Sequence, residues 1–72
     1  MFVSVYQGHE FSYSYEAKTE QYHLFRNDQK SQIYLQGDIA QLFRRMIDSI
    51  NTSLDYRGNE DKFTEDVISL FV

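Results

Sequence analysis

Seventy-two residues, 42% of them apolar and 17% aromatic, are too rich in core-forming side chains for a disordered chain; they make one domain, 1–72, whose single core only just offsets chain entropy. The chain has no cysteine, which excludes a disulfide framework and thiolate metal sites and fits a reducing compartment. A formal charge of −4 disfavours direct binding to nucleic-acid backbones, which would be repelled on average.

The first ten residues, MFVSVYQGHE, lack the basic segment and long apolar run of a secretory signal. No stretch approaches the roughly 20 apolar residues that cross a bilayer. The expectation is a soluble cytoplasmic protein with no membrane partner. Turn-like QGHE (7–10), AKTE (17–20) and NDQK (27–30) separate segments rich in aromatic and β-branched residues at about 2–6, 11–16, 21–26 and 31–36. That spacing predicts an antiparallel β-meander of three or four strands over about 2–36.

Side-chain parity gives the register. If NDQK is a four-residue loop, Arg26 faces Ser31, so Leu24 lies opposite Ile33 and Tyr22 opposite Leu35 on one apolar face. With AKTE as a second four-residue loop, Glu16 faces Gln21, and Tyr13 and Tyr15 join that face opposite Leu24 and Tyr22. The first segment can turn through Gly8-His9 or through a bulge, placing either Phe2 and Tyr6 or Val3 and Val5 on the core side.

After Gly37 the apolar period changes from two to 3.6. Ile39, Leu42, Phe43, Met46, Ile47, Ile50 and Leu54 form one broad stripe of a helix over about 38–54, with Asp38 placed to cap it and Gln41 three residues on. Arg44 and Asp48 are spaced to pair on its polar side. Gly58 supplies a break and Asn59 a possible cap for a second helix over about 60–71. Its first turn is acidic, and its stripe is Phe63, Val67, Leu70 and Phe71. The fold class is therefore α+β, two helices packed on one face of the meander.

Motifs for chemistry are weak. His9 and His23 fall roughly 15 Å apart along the predicted strands at ~3.4 Å per residue, too far to share an ion. Asp55–Asp66 is acidic with a glycine, but Arg57 stands where a calcium loop needs an oxygen ligand, and the glycine is two places early. No metal or cofactor is expected. Ser12, Ser14, His23 and Glu16 share a predicted face, yet a flat exposed face offers no oxyanion hole and no means of excluding water. Asn51-Thr52-Ser53 matches a glycosylation acceptor without a secretion signal to use it. At Gly37-Asp38 the expected cap is itself an anion, which disfavours a phosphate there.

What remains is the sheet face turned away from the helices, where Ser14, His23, Phe25 and Tyr34 come together. Aromatic residues in such a position bring large contact area at low entropy cost. The expected function is a non-catalytic protein–protein interaction module that binds another protein or a second copy of itself through His23, Phe25, Tyr34 and Ser14. A second reading uses the acids Glu60, Asp61, Glu65 and Asp66 to occupy a basic nucleic-acid channel of another protein, as small acidic phage inhibitors of CRISPR and restriction systems do. A third places a small-ligand or enzymatic site near His23, Tyr34 and Tyr13.

Overall fold

A computed structural model describes residues 1–50 and 59–71. Four strands, β1 (Val3–Gln7), β2 (Phe11–Glu16), β3 (Gln21–Arg26) and β4 (Gln32–Leu35), precede helices α1 (Asp38–Ser49) and α2 (Glu60–Phe71). The sheet is an antiparallel meander in the order β1-β2-β3-β4, so every strand pairs with its sequence neighbour. The β2–β3 and β3–β4 connections fall where the turn residues stand, with Glu20 (φ 53°) and Gln29 (φ 63°) taking the left-handed conformation in the one and the other. The second is held further by the Arg26 amide bonding the Ser31 carbonyl at 2.8 Å and the Lys30 amide bonding Asp28 Oδ1 at 3.0 Å.

The central register is the one that parity demands. Tyr13 lies opposite Leu24, Tyr15 opposite Tyr22 and Glu16 opposite Gln21; Leu24 then meets Ile33 and Tyr22 meets Leu35. A one-residue slip would have carried all these rings to the other face. Of the alternatives for β1 the bulge is the one found, but it splits the pair Phe2 and Tyr6 between the two faces. A bulge between Ser4 and Tyr6 sets Val3 opposite Tyr15 and Tyr6 opposite Tyr13. One extra residue inverts the parity across it. Tyr6 therefore turns toward the helices, while Phe2 turns to the opposite face against His23 and Tyr34.

α2 lies over β2 and β3, and α1 runs beside β4. Phe43 occupies the centre. Its ring meets Tyr13 edge-on at 5.2 Å, Tyr22 at 5.0 Å and Phe63 in a stack at 5.4 Å, the arrangements that aromatic quadrupoles favour. Leu24, Leu35, Ala40, Ile50, Val67 and Ile68 fill the space around it.

Several helical details differ from expectation. Gly37 (φ 64°), not Asp38, is the residue that enters α1, and no side chain caps it. The left-handed turn at Gly37 swings the chain from strand to helix and leaves Asp38 inside the first turn. Among the described residues Arg44 and Asp48 form no ion pair, and the charged pairing along the helices is Lys62 with Glu65 and Asp66. Asn59 does cap α2, its Oδ1 accepting from the Lys62 amide at 3.1 Å. The α1 stripe is broader than the core it covers. Ala40, Phe43 and Ile50 are buried and Ile47 half-buried, but Ile39, Leu42 and Met46 are exposed; on α2, Thr64 and Ile68 take the buried positions in place of Leu70 and Phe71. Leu54, Gly58, the Asn51-Thr52-Ser53 tripeptide and the start of the acidic segment at Asp55 lie outside the described residues.

Removing the Phe43 ring takes away three aromatic partners at once. Phe43→Ala is expected to lower unfolding stability by about 3–5 kcal/mol, read as a fall in the urea midpoint at unchanged slope.

Candidate functional site

All four candidate sheet-face residues follow from strand parity. Ser14 on β2, His23 on β3 and Tyr34 on β4 lie side by side across the sheet, and Phe25 is two residues along from His23 on the same face. The His23 and Tyr34 rings stack at 4.3 Å with an interplanar angle of 5°. Phe25 tilts against His23 at 4.8 Å, and Phe2 meets both His23 and Tyr34 edge-on at 5.9 Å. Gln32 Oε1 holds His23 Nε2 at 2.9 Å. The four rings form a platform on the side of the sheet away from the helices, with Tyr34 still 57% exposed.

Beside the platform lies an open hollow of about 510 Å³ lined by Ser12, Tyr13 and Ser14 of β2 together with Phe2, Ser4, Phe25 and Asn27. Asn27 shapes one end. Its Oδ1 accepts from Ser12 Oγ at 2.6 Å, and its Nδ2 donates to the carbonyls of Gly8 and His9 at 2.9 and 3.1 Å. The β1–β2 turn is thereby fastened to the start of the β3–β4 turn. The sequence carries no local sign of this role, because Asn27 reads as an ordinary turn residue. Phe2 was hidden for a different reason: its face depends on a bulge that parity cannot locate.

The elements of a serine triad are present on this face but engaged elsewhere. Ser12 donates to Asn27, His23 meets Gln32, and Glu16 accepts from the Lys18 amide at 2.8 Å and pairs with the Met1 amine. Tyr13, also named for a ligand site, has its ring on the helix side and is 1% exposed. The face brings His23 and Tyr34 together and separates both from the Tyr13 hydroxyl.

The four candidate acids divide. Glu65 is exposed and Asp66 half-buried, both beside Lys62. Glu60 and Asp61 turn inward to the sheet: Glu60 Oε2 accepts from the Tyr13 hydroxyl and Asp61 Oδ1 from the Tyr6 hydroxyl, each at 2.8 Å. Asp61 Oδ2 also accepts from the Glu10 amide at 3.1 Å. A Cβ at Gly8 would collide with the Asp61 carboxylate and meet the Tyr6 hydroxyl, so glycine is what lets α2 approach the turn this closely.

Burial pushes the Tyr6 hydroxyl up to about 12, with the Asp61 hydrogen bond and charge adding to it. Burial raises the Tyr13 hydroxyl further, aided by Glu60. For Asp61 burial acts upward, but hydrogen bonds from Tyr6 and from the amides of Glu10, Phe11 and His9 outweigh it and hold the carboxyl below its usual range.

Comparison with known proteins finds no matching family model, no matching curated protein and no matching solved structure.

The Tyr6–Asp61 pair gives a two-sided pH signature. Its carboxylate contribution is complete above the ordinary value of 3.8 and is lost as pH falls through the depressed folded value. Its phenol contribution is complete below 10.0 and is lost as pH rises toward about 12. Tyr6→Phe is therefore expected to flatten both limbs of a stability-versus-pH curve measured by urea unfolding. A variant curve parallel to wild type at both ends would contradict this.

Proposed function

We propose that this protein is a non-catalytic binding module that docks another protein on the outer face of its sheet, with Phe2, His23, Phe25 and Tyr34 as the contact platform and Ser14 in the adjoining hollow. The observation that carries the reading is the four-ring cluster itself. Its rings stand on the side of the sheet that the helices do not use, so the core of the fold has no need of them. Aromatic side chains flanked by hydrogen-bonding groups are the composition of energetically dominant interface positions.

The surroundings narrow the partner's chemistry. Gln7, Ser4, Ser12, Ser14 and Asn27 line the hollow with neutral polar groups, and among the described residues no charged one contributes to its wall. It fits an apolar or aromatic side chain inserted from a partner, with neutral hydrogen bonds around it, better than a phosphate or carboxylate. The engagement of Ser12, His23 and Glu16 with other residues supports binding over catalysis.

The acidic reading has less support. Glu60 and Asp61 turn their carboxylates inward onto the Tyr13 and Tyr6 hydroxyls, and Glu65 and Asp66 share Lys62. Two of the four carboxylates are thus turned away from a basic channel, and one lysine offsets part of the charge of the other two.

Phe25→Ser/Tyr34→Ser tests the platform. Both side chains lie outside the core, so the far-UV spectrum is expected to stay unchanged while capture of a binding protein by the immobilised domain falls at least about tenfold. Equal capture by wild type and the double variant, or none by wild type, would reject this surface.

A further inference from the structure

The sheet has two edges, and they differ. β1 is broken by the bulge between Ser4 and Tyr6, which twists an edge out of register for pairing. β4 is regular. The Arg26 amide bonds the Ser31 carbonyl, which makes that facing pair a hydrogen-bonded one. Antiparallel alternation then gives Ile33 and Leu35 to β3 and turns the main-chain N–H and C=O groups of Gln32 and Tyr34 outward. From Ser31 to Gly37 the sequence, SQIYLQG, has no charge and no proline, two of the devices that protect an edge.

The helix side of the same edge is apolar and open. Ile39, Leu42 and Met46 of α1 face Leu70 and Phe71 of α2 across a groove of about 70 Å³ whose lining, among the described residues, is entirely apolar. Leu42 is 54% exposed and Leu70 76%. Ile39 and Phe71 also border the hollow along β4, so groove and strand edge form one continuous surface.

We propose that this surface binds a second copy of the chain, β4 against β4 in antiparallel fashion about a two-fold axis, joining two four-stranded sheets into one of eight. The edge is complementary to itself. Even-numbered residues point their main-chain groups outward in both copies, and an antiparallel two-fold brings even-numbered residues opposite even-numbered ones. The helices of both copies then lie on the same side of the joined sheet and bring the two apolar patches together. With side chains of roughly 150–200 Å² about half exposed, the patch and strand edge supply on the order of 600 Å² per copy, the lower end of what specific interfaces bury, about 1,200 Å² over both partners.

Charge selects the same occupant. Two chains of net charge −4 repel, but among the described residues no ionised side chain lines the β4 edge or the groove, so these residues bring no like-charge pair to the contact and offer nothing to a partner chosen by opposite charge. Because β1 is blunted, pairing through β4 closes the assembly at two copies instead of propagating as a fibre.

Light scattering after size exclusion, at concentrations up to about 1 mM, is expected to give twice the chain mass for wild type and a single chain mass for Leu42→Lys/Leu70→Lys, whose substituted positions lie outside the core. The outer-face variant Phe25→Ser should keep the dimer, which separates this surface from the platform proposed above. Amide exchange on wild type provides a reading independent of any variant: Gln32 and Tyr34 should be protected where the dimer forms. A monomeric wild type, a dimeric double lysine variant, or fast exchange at Gln32 and Tyr34 in a dimer would each overturn the proposal.

Discussion

The position of α2 is set by two carboxylates that meet two tyrosine hydroxyls. The Tyr13 ring belongs at the centre of the core, against Tyr22 and Phe43, and a phenol brought that deep must find a partner for its hydroxyl or lose a hydrogen bond to water. Glu60 provides it, and Asp61 does the same for Tyr6 one position on. Both acids stand in the first turn of α2, where the helix dipole also favours negative charge. Helix start, sheet centre and the β1–β2 turn are thus fixed by one small network, and Gly8 leaves the room for it.

This constraint accounts for the shape of what remains. With its first turn fastened near β1 and β2, α2 crosses the sheet, and its last turn arrives at the β4 side beside α1. Phe63, Thr64, Val67 and Ile68 are spent on the core, while Leu70 and Phe71 run past it. α1 is in the same position: its stripe is wide enough for a larger sheet than four short strands provide, and Ile39, Leu42 and Met46 overhang. A chain of this length has little surface it can bury, so two apolar areas, the groove at the β4 edge and the outer aromatic platform, are left facing outward for distinct reasons. The first follows from the geometry of helix packing, the second from the bulge that moves Phe2.

The meander, its register and the kind of each helix were legible because they depend on local periodicity. A period of two, broken by four-residue turns, leaves a single register that keeps Tyr13, Tyr15, Tyr22, Leu24, Ile33 and Leu35 together. The same parity put Ser14, His23 and Tyr34 in a row and Phe25 beside them. Parity fails where an extra residue is inserted. Phe2 and Tyr6 are four apart and should share a face, yet they point to opposite ones, and no composition signal marks the bulge that separates them. Asn27 and Gly8 were illegible in another way, since their roles arise from contacts with residues far along the chain.

The acids show the same division most clearly. As residues in a sequence, Glu60, Asp61, Glu65 and Asp66 are one acidic cluster; helical rotation and the reach of two tyrosines turn the first pair into internal hydrogen-bond acceptors and leave the second pair beside Lys62. The sequence by itself determined the strand order, the central register and the two helical segments, because side-chain periodicity and turn chemistry act over a few residues. Only the tertiary structure decided which apolar residues stay outside and which acids turn inward, because those depend on the angle at which α2 crosses the sheet, and that angle is set by contacts some fifty residues apart in the chain.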